Sequence, residues 1–469
     1  MPGRDTLARI QLLCSALAVT VLIALAAAPN YPSFDENSYE YQNMAAGRWD
    51  EVHQPYSSRF LHPMLAAALA RESGCSVDTA FRWISFVLLP LAVGALALLF
   101  LRLRIHSWLF VPVLFGYPLA RSFELICLAD LLYTLLLGLF ILLLAYRRFA
   151  LAGLMLVVLF CARESTLVLG LVAALMAAVE FRWAPLQDNP AMSREPVPRS
   201  GRGQGVIAVF LLATVAGLWL NHHVATKSAG NIHQIDPVTY LLAKVPFNFL
   251  QNVMGVRLWS NTYIPMHGDH PIVRWALPAW VRAHSGAITE IGINDLSPRF
   301  PANCLSGVLC GFGVLLTTLA KEIYDKARAA TLPIAGRWRR CRAIGRGFAD
   351  LLAKQPLALR VAGVYGIVTL LIVPLLGSAV LRYVFYAWPA FWLLGAKLFQ
   401  RDYLSAPRNR RCLGALLIVH LALVWLPLAQ GWRDANDRSF RPLAYLAAAV
   451  VLQYVAWRLL SAIRHLSKA

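Results

Sequence analysis

The sequence predicts an all-α polytopic membrane protein, and three observations predict it. Residues of the AVILMFWYC set fill 58% of the 469 positions and charged residues only 14%, where a soluble domain carries about 25% charge. Mean hydropathy is +0.57. The apolar residues also fall in long blocks divided by polar stretches, the pattern of bilayer-spanning helices. A secreted disulfide scaffold is excluded, because the 8 Cys show no repeated close spacing of the disulfide or zinc kind.

At about 20 apolar residues per crossing, twelve spans are expected within a single transmembrane domain, 1–469, with both termini inside. In order they are Ile10–Ala28, Arg82–Leu101, Trp108–Ala120, Leu125–Ala145, Phe149–Cys161, Thr166–Val179, Gly205–Val224, Cys304–Leu319, Val361–Leu376, Val384–Leu398, Cys412–Leu428 and Leu443–Leu460. Trp108–Ala120 is the weakest and reads as tilted or re-entrant. Arg102/Arg104 and Arg147/Arg148 both read as cytoplasmic, so an even number of crossings lies between them. The first run, behind Arg4 and Arg9, resembles a cleavable signal peptide. Its length favours a retained span.

Charge fits this topology. The whole formal excess of +20 falls on the segments assigned to the cytoplasm, as the positive-inside rule expects. The high pI therefore reads as topology and contact with anionic membrane lipids. A nucleic-acid partner would need a basic face with interleaved stacking residues, and none is present.

Four stretches outside the spans matter: a first outer loop over 29–81, a second over 225–303, and basic cytoplasmic linkers over 182–204 and 321–360. Ser33-Phe34-Asp35-Glu36 has capping-box spacing, and Gly47 is a natural stop. Between them an interfacial helix is expected, with Tyr39, Tyr41 and Trp49 at the membrane surface.

Chemistry is sought where charge meets the outer face. Asp35 and Glu36 follow the first span, where a partly desolvated carboxylate becomes a better base. Asp130 lies within the fourth span, and charge there normally faces a partner or a cavity. Arg121 and Glu124 lie just outside it. Arg163-Glu164 forms an outer turn between two short spans, and Arg382 precedes the tenth span at the same face. With Arg59, these guanidiniums suit a membrane-level phosphate, which Arg grips with parallel donors. His267-Gly268-Asp269-His270 lacks the third spaced ligand of a zinc motif. No G-x-S-x-G elbow, Walker loop or dinucleotide fingerprint is present. Cys304 and Cys310 read as packing residues.

Taken in order, these features resemble a family. Phe34-Asp35-Glu36, Tyr39 with Met44-Ala45-Ala46-Gly47, Pro55-Tyr56, Arg59-Phe60-Leu61-His62-Pro63, Arg163-Glu164-Ser165 and Arg382-Tyr383 before Trp388-Pro389 are similar to the GT-C superfamily of polyprenyl-phosphate-dependent integral membrane glycosyltransferases. The likeness covers most of the chain. It implies transfer of a sugar, with inversion, from a polyprenyl-phosphate donor to a glycan, lipid or protein acceptor at the outer face. Asp35 would deprotonate the acceptor hydroxyl, with Glu36 the alternative base. Glu124 or Asp130 would assist or help to hold a divalent Mg or Mn ion, although neither loop carries a D-x-D. Arg382, with Arg163 or Arg59, would hold the donor phosphate, where cations stabilise the charge of the leaving group. Glu164, Tyr383 and His62 complete the substrate-binding set. The rival classes are a lipid-linked glycan polymerase or ligase and a lipid or solute transporter; the acidic first loop favours the glycosyltransferase. The preference for Arg over Lys points to a bacterial inner membrane, with the site facing the periplasm.

Overall fold

A computed structural model describes residues 2–34, 37–53, 56–183, 200–228, 245, 248–258, 293–296, 299–331, 337–376, 380–404, 410–429 and 441–466. It divides into two compact units. One comprises Met1–Gly230, Thr318–Gly366 and Pro389–Leu404, the other Asn231–Thr317, Ile367–Trp388 and Ser405–Ala469.

The first unit is helical. Its elements begin with α1 (Pro2–Ala27), α2 (Ser38–Ala45), α3 (Leu61–Ser73), α4 (Val77–Arg102), α5 (Phe110–Leu114), α6 (Tyr117–Glu124), α7 (Asp130–Ala145), α8 (Phe149–Ala162), α9 (Thr166–Trp183) and α10 (Ser200–Ala225). Ser76 starts α4 by accepting the Thr79 N–H at 3.2 Å, and so satisfies one of the donors a helix start leaves open. Leu13, Leu17 and Leu25 of α1, and Leu212, Val215 and Trp219 of α10, are exposed. Apolar faces of that length suit hydrocarbon contact. Side chains at Gly170 or Gly217 would collide with Thr214 and Phe160. These two glycines let α10 approach α9 and α8 closely, the small-residue packing typical of helices in lipid.

Five helices among the described residues are long and apolar enough to cross a membrane: Arg9–Asn30, Val77–Arg102, Gly203–Ala225, Leu357–Leu375 and Pro442–His465. A sixth is counted if Phe300–Gly311 and Val314–Ala329 form one broken span. Asp130–Ala145, Phe149–Ala162, Thr166–Phe181 and Arg411–Pro427 are apolar but shorter. Among the described residues the full-length spans are thus fewer than the expected twelve, because composition does not reveal where a helix breaks. At 1.5 Å per residue, α7 and α8 reach only about 24 and 21 Å, against a hydrocarbon core of about 30 Å. The weak third span breaks into α5 and α6, which both run along α1.

The first loop also departs from expectation. Ser33 caps no helix; its N–H donates to the Glu124 carbonyl at 2.9 Å, and α2 starts only at Ser38. Gly47, at φ +80°, does end α2. Its N–H bonds the Met44 carbonyl, and that of Arg48 bonds Asn43, the paired closure of a Schellman motif. Tyr39 is exposed but Tyr41 is fully buried, so α2 is packed into the unit on one face.

The linker expected over 321–360 is mostly helix, within Val314–Thr331, Arg337–Ala353 and the start of Leu357–Leu376. Most of 182–204 and 225–303 lies outside the described residues. The second unit holds helices Arg299–Gly311, Val380–Phe385, Arg410–Ala429 and Arg441–Leu466. It also contains a short antiparallel ribbon, β1 (Val256–Leu258) against β2 (Ile293–Leu296), with Val256 opposite Leu296. Gly313, at φ +53°, breaks its first helix. The Gln453 amide donates to the freed carbonyls of Leu309 and Gly313.

Candidate acid–base and anion site

Arg59, His62, Asp130, Arg163 and Glu164, all singled out from sequence, come together at one end of the first unit. The turn between α8 and α9 is only Arg163-Glu164-Ser165, as the interrupted apolar run suggested. Arg163 Nη1 meets Asp130 Oδ1 at 2.6 Å, both side chains almost fully buried. Asp130 is the first residue of α7, where the helix dipole favours a carboxylate. It therefore does not lie within a continuous span. Residues 125–129 form turns before the helix begins.

Arg59, also buried, holds Glu164 in a two-point grip: Nε to Oε2 at 2.9 Å and Nη2 to Oε1 at 2.5 Å. Arg59 also donates to the Tyr41 hydroxyl at 3.3 Å. Burial would raise the Glu164 pKa, but the charge and hydrogen bonds of Arg59, with help from Arg163, outweigh it and hold the group down to about 2. Its side chain is 40% exposed, so the carboxylate stands between a buried guanidinium and the surroundings. The Asn221 amide joins the Ser58 and Phe160 carbonyls at 2.8 and 2.9 Å. This bond ties the first loop to the end of α8.

His62 is buried, with Nε2 at 2.9 Å from the Ile126 carbonyl. A carbonyl only accepts, so Nε2 carries the hydrogen and Nδ1 holds the lone pair. Burial lowers its pKa, opposed by the Ile126 bond and the Asp130 charge. Nδ1 finds no protein partner among the described residues. Glu124 is buried beside Arg121, with Oε2 at 2.7 Å from Nη1, while its Oε1 has no partner there.

Asp35 and Glu36 lie outside the described residues, as do His267, Asp269 and His270. Arg382 and Tyr383 belong to the second unit, in helix Val380–Phe385, and the Arg382 side chain is likewise outside the described set. Among the described residues no group of three or more His, Cys, Asp or Glu could hold a metal ion. Glu124 and Asp130 each face an arginine. Cys304 and Cys310 are buried free thiols.

One arrangement was not foreseen. Glu40 of α2 meets His53 Nδ1 at 3.0 Å. Thirteen residues separate them, and no local spacing marks such a pair.

No family model, curated protein or solved structure matches this chain. The GT-C likeness therefore rests on the residues themselves.

Proposed function

We propose that the protein is a membrane glycosyltransferase, moving a sugar from a polyprenyl-phosphate donor to an acceptor hydroxyl at the outer face of a bacterial inner membrane. The observation that carries this reading is the Arg59–Glu164 pair. A buried guanidinium, already fixed for two-point contact with an anion, is covered by a carboxylate partly open to its surroundings. A donor phosphate would take the place of Glu164 on Arg59, and Arg163 would add a second positive charge nearby. Positive charge there stabilises the electron pair that the leaving phosphate gains. The first loop supplies the base. Asp35 is the residue the resemblance assigns to that role. The exposed apolar helices support residence in a bilayer, and the clustering of Arg at the opposite end of the first unit supports a cytoplasmic N-terminus.

Binding of farnesyl phosphate to the full chain in lipid nanodiscs, with farnesol as the uncharged control, tests the reading. Arg59→Ala should weaken farnesyl phosphate at least about tenfold, and Glu164→Gln should strengthen it. Equal affinity for farnesol and farnesyl phosphate, unchanged in both variants, would leave the pair a structural bridge.

A further inference from the structure

The first loop contains a carboxylate–imidazole pair that none of the roles above uses. Glu40 is buried, and both its oxygens serve one residue. Oε2 accepts the backbone N–H of His53 at 2.8 Å and Oε1 accepts from its Nδ1 at 3.0 Å. Because a carboxylate only accepts, Nδ1 carries the hydrogen, so a neutral ring would present its lone pair on Nε2. Nothing among the described residues bonds Nε2, and a third of the His53 side chain is exposed.

The backbone is held as well. Val52 is fully buried beside it, and the N–H groups of Tyr56 and Ser57 turn back to the His53 carbonyl at 2.9 and 3.3 Å. A carboxylate that merely closed the loop would need only the backbone N–H. The second bond orients the ring. His53 lies six residues before Arg59, joined to it by the 3₁₀ turn Tyr56–Ser58.

We propose that Glu40 and His53 form an acid–base dyad, with His53 Nε2 as the catalytic base and Glu40 as its positioning residue. In this it rests on the sugar-transfer reading and competes with Asp35 for the proton. The acceptor oxygen bonds to the anomeric carbon. The anomeric carbon's bond to the phosphate oxygen breaks, and its electron pair stays with the phosphate. The acceptor's proton passes to Nε2, and the resulting imidazolium is stabilised by Glu40. Positioned general bases of this kind contribute about 10²–10⁴-fold.

Two measurements on the full chain in nanodiscs decide it. Diethyl pyrocarbonate acylates a reachable, unprotonated imidazole nitrogen, and peptide mass spectrometry reads each site without any substrate. His53 should react at least about tenfold faster than the buried His62, and Glu40→Gln should slow it. Slow labelling of His53, indifferent to Glu40, overturns the dyad.

Turnover is then read as farnesyl phosphate released from farnesyl-phosphate-linked hexoses and pentoses, with a membrane lipid and glycan extract as acceptor. His53→Gln should lower kcat at least about a hundredfold with farnesyl phosphate affinity unchanged. Glu40→Gln should lower kcat at unchanged KM. If His53→Gln fails to insert, inactivation of the unaltered protein by diethyl pyrocarbonate, reversed by hydroxylamine, should track His53 labelling. Full turnover in His53→Gln but not in Asp35→Asn overturns the dyad and leaves sugar transfer standing. No turnover of any donor by the unaltered protein sinks sugar transfer, and the catalytic role of His53 falls with it.

Discussion

The two ends of the first unit handle charge in opposite ways. At the first-loop end, Asp130, Arg163 and Arg59 are buried and each has an opposite charge at bonding distance. At the other end, Arg102, Arg104, Arg147 and Arg148 are all exposed. Arg102 reaches across to the Ala145 carbonyl at 2.9 Å, and Lys397 donates to the carbonyls of Leu103 and Arg104. There, α4 and α7 close with matching Schellman bonds: Ile105 to Phe100 and Arg104 to Leu101, then Arg148 to Leu143 and Arg147 to Leu144. The left-handed position of each falls on an arginine, Arg104 at φ +54° and Arg147 at φ +56°, where glycine is usual. An L residue there costs about 1–2 kcal/mol, and a cation at a helix C-terminus offsets part of it. Buried charge has to be matched within the protein, whereas exposed charge needs only water, headgroups or free carbonyls.

The comparison breaks most sharply at Arg163. Arg163→Ala leaves Asp130 buried without its countercharge, and a loss of about 3–5 kcal/mol is expected, read as unfolding midpoints in detergent. Arg102→Ala should stay within about 0.5 kcal/mol, as a surface change does. Similar losses at both positions would erase the distinction between the ends.

Acid should act on the first-loop end next. Burial keeps His62 below its ordinary 6.5, so the folded ring stays neutral while the unfolded chain takes up a proton. Stability therefore falls as pH drops from 6.5 toward the folded value. His62→Gln should flatten thermal stability between pH 7 and 5.5. Glu164 titrates lower: its contribution, present above 4.5, is lost as pH falls through about 2. Its pairing with Arg59 should thus persist at pH 4, observable as unchanged carboxylate infrared absorption that Arg59→Ala shifts.

The smallest effect is expected at the exposed end. Arg104→Gly removes the left-handed penalty together with the helix-end charge, so a gain of no more than about 1 kcal/mol should appear. A clear loss in a thermal melt would mean that the Arg104 side chain contributes as much as those at the buried end.

Several parts of this arrangement were legible in the chain. Arg163-Glu164 interrupts an apolar run that would otherwise be one helix, which marks a turn. Arg102/Arg104 and Arg147/Arg148 were expected on one side, and the bond from Arg102 to Ala145 places those helix ends together. Other readings failed for physical reasons. Ser33 has capping-box spacing, yet its N–H is taken by the Glu124 carbonyl from 91 positions away, and a tertiary bond outranks a local one. The basic stretch over 321–360 looked like a linker because its charge masked long helical segments. Glu40 and His53 carried no signal, since nothing in their spacing requires them to meet.

Composition and block length by themselves determined a helical protein with membrane-length apolar helices, and they named the charged residues at the turn between α8 and α9. Which carboxylate faces which guanidinium was decided only in three dimensions. Asp130 and Arg163 are 33 residues apart, and Arg59 and Glu164 are 105. Once helix packing has excluded water from that end, the cost of an unmatched buried charge selects the partner, and that cost does not exist along the linear chain.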